Sequence, residues 1–212
     1  MSGDGSHPDI VGPAVLRPPA QRGFLDPQSA LQLVSSAERL LGTRLACEIH
    51  QHAGGFRLPA PDEPVREDKV RRLHAALREI DPGDARIVLR DAGEHVGRIV
   101  VQHRMTARAR RLLQSAPWPL AAWLISQQFK QTSWTFVGSG TLIVRTPMEL
   151  EIAANPLAPP GHAHDPQCTY HTCLLRTIYS QVIDARLDCR EVTCRAAGDT
   201  ACSFAIGVND PA

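Results

Sequence analysis

The chain has 212 residues, of which 43% are hydrophobic, and this is enough for one ordinary domain with a sizeable core. The formal net charge is +1, so the overall charge does not attract nucleic acid or an anionic membrane, and we expect no nucleic-acid partner. The N-terminus lacks a basic start followed by an apolar run, and no apolar stretch approaches the roughly 18–20 residues of a membrane span. We therefore expect no membrane span and a cytoplasmic location.

The first half of the chain is predicted to be mainly helical. Residues 1–23 contain many Gly, Pro, Ser and Asp residues with little periodicity, which predicts a loose N-terminal segment. A first helix is predicted between Asp26, which can cap it, and Gly42. A second helix opens at Pro64, and a third runs from about residue 85 to 103, with apolar residues at helical spacing.

The third predicted helix contains Gly93 and Gly97, which are small enough for another backbone or a ligand to approach closely. Four arginines follow it within residues 104–111. Such a cluster can hold phosphates or carboxylates, and it is also typical of a solvated helix face. A nucleic-acid site is less favoured, because no interleaved aromatic residues accompany the arginines.

Aromatic residues are concentrated at the centre of the sequence. Residues 117–136 contain all three tryptophans and two of the five phenylalanines. A helix is predicted from Pro117, and residues 134–140 have strand character, followed by strands over residues 141–145 and 148–152. These aromatic side chains either pack in the core or form a flat apolar wall that suits a planar ligand.

The C-terminal part is predicted to be a helix followed by a hairpin. The helix covers about residues 170–185, and the two strands cover residues 191–195 and 201–208 around a turn at Gly198. With this hairpin, the predicted single domain extends over residues 24–210.

Five of the six cysteines lie in this C-terminal part. In a hairpin centred on Gly198, Cys194 and Cys202 face each other, close enough for both sulfur atoms to reach one metal ion. Cys168 precedes the helix and can supply a third thiolate, and Glu191 can supply an oxygen. Zinc accepts such mixed sulfur and oxygen donors, and a filled shell of four ligands is structural.

Other interpretations of these residues remain open. Opposed cysteines also suit a disulfide, although nothing in the chain indicates export, and cysteine is often a small buried hydrophobe, as we expect for Cys47 and Cys173. Glu191 and Cys194 are three residues apart, so a regular strand would place them on opposite faces, and a bulge is needed to bring them together. Two loop histidines, His162 and His164, are more typical of a flexible surface than of a metal site.

The tail over residues 189–204 resembles the end of the vinyl-4-reductase domain. That domain is found in bacteriochlorophyll-biosynthesis proteins and in the sensor modules of phenol-responsive transcription activators. In the sensor modules, zinc is held by a cysteine, then a glutamate, then two more cysteines. The same order and spacing occur here, so the resemblance implies a structural zinc ion on Cys168, Glu191, Cys194 and Cys202.

A longer resemblance covers roughly residues 10–208. The segments 10–13, 67–78, 134–140 and 151–157, with the cysteine tail, are similar to the bacteriochlorophyll 4-vinyl reductase family. The chain departs from the family at Tyr170, where a tryptophan is expected, but an aromatic residue is retained. The resemblance implies an α+β fold with an antiparallel sheet and packed helices, and a role in the tetrapyrrole branch that leads to bacteriochlorophyll.

The family name implies reduction of a vinyl group on a chlorophyllide precursor, but the sequence contains no nucleotide or flavin motif, so whether the chain is an enzyme stays open. We expect instead that it binds or delivers a chlorophyllide-type or magnesium-porphyrin intermediate. One alternative is a divinyl chlorophyllide vinyl reductase that uses an external reductant, and another is an assembly or regulatory subunit without pigment. Contacts with other enzymes of the pathway and a homodimer are left open.

A porphyrin is a broad apolar plate with carboxylates at one edge, and this chemistry selects the candidate ligand residues. We expect aromatic side chains to stack on the plate, an arginine to pair with a propionate, and a histidine to approach a central magnesium ion. We expect these groups to share one cavity, lined by the third and fourth predicted helices and the strand at residue 134. The candidates are His103, Arg104, Arg108, Trp123, Trp134 and Phe136.

Overall fold

The computed structural model describes residues 22–159 and 167–208, so most of the N-terminal segment, residues 10–13, His162 and His164 lie outside the described residues. The fold is α+β, as predicted: helices pack against an antiparallel sheet. The described helices are α1 (Gln28–Leu41), α2 (Thr43–His52), α3 (Glu67–Ile80), α4 (Ala85–Ile99), α5 (Ala107–Ser115), α6 (Trp118–Thr132), α7 (Trp134–Val137) and α8 (Thr169–Val182). The described strands are β1 (Phe24–Leu25), β2 (Val65–Arg66), β3 (Thr141–Thr146), β4 (Glu149–Ala153), β5 (Leu187–Thr193) and β6 (Ala201–Val208).

The main sheet has four antiparallel strands in the order β3-β4-β6-β5, and β1 pairs with β2 in a separate short ribbon. Both predicted hairpins of the main sheet are present: Leu142 is opposite Ile152 in one, and Thr193 is opposite Ser203 in the other. The turn of the second hairpin contains Gly198 with a φ of 98°, a left-handed conformation that glycine adopts without a Cβ clash. The central position of β6 joins the two hairpins into one sheet.

Helix α8 forms the centre of the structure, because it packs against both α4 and strand β5. Its core side chains are almost fully buried, including Leu174, Ile178 and Tyr179. On α4, a Cβ added at Gly93 would lie 2.4 Å from the backbone oxygen of Tyr170. The two glycines of α4 therefore allow the close backbone approach that the sequence indicates.

The ends of α1 follow from local chemistry. The Asp26 carboxylate accepts a hydrogen bond from the Gln28 backbone N–H at 2.9 Å, as expected for a capping residue. At the other end, Gly42 has a φ of 87°, which ends α1 before α2 begins at the next residue. The sequence analysis does not predict α2, because its ten residues bury little more than Ala46 and Ile49.

Two sequence-based predictions about the central segment need correction. Residues 134–137 form α7 rather than a strand: Phe136 is buried against Phe129, with ring centroids 5.6 Å apart, and this packing outweighs the strand preference of the sequence. The helix predicted to continue to residue 103 instead changes at residue 100 into a π-helical segment, Val100–Arg104. Among the described cysteines, Cys47 is exposed rather than buried, whereas Cys173 is buried as expected.

Candidate metal centre and ligand cavity

Four side chains from three parts of the chain meet at the turn end of the C-terminal hairpin. The donor atoms of Cys168, Glu191, Cys194 and Cys202 all lie within 4.8 Å of one another. Cys168 immediately precedes α8, Cys202 lies on β6, and the other two belong to β5 and the residue that follows it. The cluster therefore connects the start of α8 to both strands of the hairpin.

A strand irregularity brings Glu191 and Cys194 to the same side. The pairing of β5 with β6 shifts register between Glu191 and Thr193. An extra residue of this kind reverses the side on which the following side chains point, so residues three apart can share a face. This is the bulge that the spacing of Glu191 and Cys194 requires.

The sulfur atoms are spaced for a shared ion rather than for a covalent bond. The Cys168 sulfur lies 3.3 Å from that of Cys202 and 3.9 Å from that of Cys194. A disulfide has an S–S distance of about 2.0 Å, and all three cysteines are free. With Zn–S bonds of about 2.3 Å in tetrahedral geometry, the sulfurs would stand about 3.8 Å apart. The observed separations fit such a site.

Hydrogen-bond donors surround the sulfur atoms. The buried Asn155 side chain donates to the sulfurs of Cys168 at 3.5 Å and of Cys202 at 3.6 Å, and the Gln167 backbone N–H donates to that of Cys194 at 3.4 Å. The Leu157 backbone N–H in turn holds the Asn155 side-chain oxygen at 3.0 Å. Donors of this kind favour the thiolate form that binds metals. Sequence reasoning missed Asn155, although its place directly after β4 is the signal that would have found it.

The Glu191 carboxylate has one oxygen left for a cation. Its Oε2 accepts a hydrogen bond of 2.7 Å from the Cys168 backbone N–H, whereas its Oε1 is buried with no hydrogen-bond partner in the described part of the chain. Burial raises the pKa of the Glu191 carboxyl to about 8, because the charged form loses its hydration. A metal ion at Oε1 would supply the missing partner, so the residues present fit a metal site.

The protons of the thiols are unevenly shared in the cluster. The hydrogen bond from the Cys168 thiol lowers the pKa of Cys194 to about 4, and the pKa of Cys168 is raised by the same contact. Three thiolates and one carboxylate around a divalent cation leave a local charge of roughly −2. The sequence analysis did not identify Arg78, whose pKa is lowered by burial and raised in part by the nearby Cys168 and Cys194 thiolates. Its guanidinium also donates to the Gln167 carbonyl at 3.3 Å, which places its positive charge beside the cluster.

A separate cavity of about 460 Å³ lies between the π-helical segment, α5, α6 and α7. Its wall is mainly apolar and includes Leu113, Leu124 and Phe129. The polar exception is an ion pair of 3.2 Å between Arg104 and the buried Asp26. Burial raises the pKa of Asp26, and the Gln28 backbone N–H and the Arg104 guanidinium act in the opposite direction. The cavity thus combines an apolar interior with one buried charged pair.

The structure separates the six candidate ligand residues. Arg104 and Trp134 line the cavity. His103 and Arg108 are exposed, and Trp123 is 49% exposed on α6. Phe136 is buried behind the cavity against Phe129. The sequence analysis missed Phe129 as a wall residue, although it lies in the same aromatic segment.

The π-helical segment positions Arg104. The Met105 backbone N–H donates to the Val100 carbonyl five residues earlier at 3.2 Å, which widens the helix by one residue in this turn. Such insertions rotate the following side chains relative to a regular helix and are frequent at functional sites. Here the rotation places Val100 and Arg104 at the cavity and His103 at the surface.

Comparison with known proteins identifies the family. The family model of the vinyl-4-reductase domain matches residues 148–208, which include β4, α8 and the cysteine hairpin. The bacteriochlorophyll synthase 23 kDa chain of Cereibacter sphaeroides is 31% identical over 189 residues, which cover 88% of this chain and 91% of that protein. The chain belongs to the family of the bacteriochlorophyll synthase 23 kDa chain. The protein of the same name from Rhodobacter capsulatus is 27% identical over 86% of each chain.

Solved structures with a similar fold are H-NOX proteins. A point mutant of the T. tengcongensis H-NOX matches with a TM-score of 0.55 at 14% identity, over 88% of this chain and 99% of that one. A mutant H-NOX protein from K. algicida, in the unliganded Fe(II) state, has a TM-score of 0.53 at 10% identity, over 88% and 97% of the two chains. At such low identity the likeness concerns the fold alone. No helix in the described ranges is long and apolar enough to cross a membrane.

Proposed function

We propose that this family member binds a magnesium-porphyrin or chlorophyllide-type intermediate of bacteriochlorophyll synthesis in the cavity beside Trp134. The observation that carries the proposal is the cavity itself: about 460 Å³, mostly apolar, with an aromatic wall and one arginine. Binding sites for organic ligands are typically concave, largely apolar and supplied with a few polar groups that fix the orientation of the ligand. The cavity has these properties.

Family and fold support this choice of ligand. The name shared by the two relatives concerns bacteriochlorophyll synthesis, which supports a role for this chain associated with that process. A further H-NOX structure, determined to probe heme distortion in that family, matches with a TM-score of 0.54 over 89% of this chain and 97% of that one. The same fold therefore occurs in a protein studied for its porphyrin.

The lining residues match the parts of such a ligand. Trp134 and Phe129 offer flat apolar surfaces for the macrocycle, and Arg104 can exchange its Asp26 partner for a propionate carboxylate. A magnesium ion prefers oxygen donors to imidazole, and Gln128, Thr132 and Thr135 line the same cavity. These side chains take over the role that the sequence analysis assigned to His103.

The four-residue cluster supports a second part of the proposal, a structural zinc ion. Three sulfurs and one carboxylate oxygen complete a tetrahedral shell, which leaves no open position for catalysis. Zinc at this point would fasten the start of α8 to the hairpin, and α8 packs against α4, whose end leads into the cavity wall. The metal would thus stabilise the fold rather than contact the pigment.

Two alternative functions predict different behaviour. A vinyl reductase with an external reductant would consume that reductant when a divinyl substrate is added. An assembly or regulatory subunit would not bind pigment at all. We therefore propose to titrate the purified chain with magnesium protoporphyrin and to record the visible absorption bands, then to add NADPH.

A saturable band shift at about one porphyrin per chain, with no consumption of NADPH, would support a binding protein. A band shift accompanied by loss of NADPH would favour the reductase. If porphyrin addition produces no shift, the pigment-binding proposal is wrong and the assembly role becomes the better account.

A further inference from the structure

A second depression, about 750 Å³ in volume, is formed by the opposite end of α4 from the ligand cavity. Its walls come from the end of α3, the first half of α4, the start of α8 and strand β5. Five arginines line it, compared with only two acidic residues, Asp188 and Glu191. The arginines are Arg78, Arg86, Arg90, Arg176 and Arg190. We refer to this depression as the arginine groove.

Ion pairs within the protein leave much of this positive charge uncompensated. In the described ranges, Arg86, Arg90 and Arg190 form no salt bridge. Arg176 pairs with Glu94 at 3.7 Å and with Asp188 at 3.3 Å. Since Glu191 belongs to the candidate metal centre, it is not available to balance the arginines.

The arrangement costs free energy in the absence of an anion. Arg86 and Arg90 are four residues apart on α4, so their like charges lie on the same face of the helix and destabilise it by a few tenths of a kcal/mol. Arg78 is half-buried beside them, where its charge is less well hydrated than at the surface. A solvated helix face would spread such residues out, whereas here four structural elements direct them into one concave space.

We propose that the arginine groove is a binding site for a small molecule carrying two or more carboxylate or phosphate groups. Guanidinium groups bind both kinds of oxyanion through paired, charge-assisted hydrogen bonds. Thr169 and Thr172 also line the groove and add hydroxyl groups, and the first turns of α4 and α8 lie at its edge. Arginines on several elements suit a ligand with separated anionic groups better than a single ion.

The groove is distinct from the pigment cavity and adjoins the metal centre. None of the residues that line the groove also lines the cavity. Along α4 and the segment after it, Leu89 in the groove and Val100 in the cavity are about 16 Å apart at 1.5 Å per residue. Gln167 and Glu191 contact both the groove and the cysteine cluster, so a bound anion would lie directly outside the metal centre.

The test is isothermal titration calorimetry of the full chain with inorganic pyrophosphate and, separately, with citrate. The variant R86Q/R90Q removes two groove charges that make no ion pair within the described part of the protein. The control variant R44Q/R71Q removes two exposed arginines from α2 and α3 that also form no salt bridge in the described ranges and lie outside the groove. Thermal melts of all three proteins establish that each is folded.

We expect saturable binding of at least one of the two anions, weakened about tenfold or more in R86Q/R90Q and unchanged in R44Q/R71Q. Raising the salt concentration should weaken it further. A preference for pyrophosphate would identify phosphate as the natural group, and a preference for citrate would identify carboxylates. The proposal is wrong if neither anion binds, or if both double variants weaken binding equally.

Discussion

At the residue scale, the candidate metal centre consists of acidic groups that are difficult to bury together without a cation. Three sulfurs lie within reach of one point, and the Glu191 carboxylate turns a buried, unpartnered oxygen toward them. A divalent cation would turn this mutual repulsion into attraction. The stability of the chain should therefore depend on the metal.

Replacing Cys194 with serine tests this dependence. We expect zinc content to fall from about one per chain to well below one half, because serine is a poor zinc ligand. A loss of about 3 kcal/mol would lower the melting temperature by roughly 6–12 °C in a chain of this size. Elemental analysis and thermal melts measure the two quantities.

The matched control is Cys173→Ser, because Cys173 is also a buried free cysteine but lies outside the cluster. It should lose some stability and keep its zinc. A Cys194→Ser protein with full zinc content, or a metal-free wild type of unchanged stability, would contradict the structural role.

A second residue-scale prediction concerns His171. Burial lowers its pKa from 6.5 to about 4, and its Nε2 contacts the Phe136 carbonyl at 2.9 Å. The unfolded chain therefore binds a proton that the folded chain does not, and the folded state loses stability as the pH falls from about 6.5 toward 4. The maximum contribution is about 3 kcal/mol. His74, which is also buried with a lowered pKa and whose charge is coupled to His171, adds to the same slope.

We expect His171→Gln, which does not titrate, to lower the dependence of unfolding free energy on pH in this range. Denaturant titrations at several pH values provide the comparison, and only the slope matters, so a general loss of stability does not disturb the result. A variant with the same slope as the wild type would show that His171 is charged in the folded protein or titrates normally.

Residue types indicated the four-residue cluster in advance, because cysteine is rare and its spacing carries information. The sequence could not indicate Asn155 and Arg78, which reach the cluster from other elements. An asparagine or an arginine is common at any surface, and only the packed fold reveals that these two lie beside the sulfurs.

At the element scale, the contact between α4 and α8 is the tightest joint of the fold. A Cβ at Gly97 would lie 2.7 Å from the Thr177 Cβ, and one at Gly93 would meet a backbone carbonyl, which cannot rotate away. Gly93→Ala should therefore destabilise the protein by about 1–3 kcal/mol, even though alanine favours a helix by about 1 kcal/mol over glycine. Chemical denaturation measures the difference.

Gly207→Ala is the control, since nothing lies within 4 Å of a Cβ added at that strand residue. It should change the free energy of unfolding by less than about 0.5 kcal/mol. A Gly93→Ala protein as stable as the wild type would mean that α4 and α8 stand farther apart than described.

Sequence patterns predicted most elements but not the local conformation of the cavity wall. Helical spacing and turn residues predicted α1, α6, α8 and both hairpins. The π-helical segment and α7 were not predicted, because their conformations follow from the burial of Val101, Phe136 and Val137 against distant residues. Both unpredicted pieces border the cavity, where tertiary packing decides the backbone.

At the scale of the whole molecule, α4 and the segment that follows it connect three features. The arginine groove adjoins its first half, α8 packs along it and is tied to the metal centre, and the cavity follows its end. Family resemblance predicted the fold class and the family correctly. It could not locate the cavity, which depends on how α5 and α6 pack over the π-helical segment.

The most direct test of the account is a porphyrin titration with two tryptophan variants. Trp134 lines the cavity, whereas Trp118 is 58% exposed on α6 and lies outside it. We propose to titrate the wild type, Trp134→Ala and Trp118→Ala with magnesium protoporphyrin, following the visible bands and measuring zinc content in each preparation. The account predicts that Trp134→Ala binds about tenfold or more weakly with its zinc unchanged, and that Trp118→Ala binds as the wild type does. Equal affinity of all three proteins, or loss of zinc together with porphyrin in Trp134→Ala, would contradict a pigment site in the cavity.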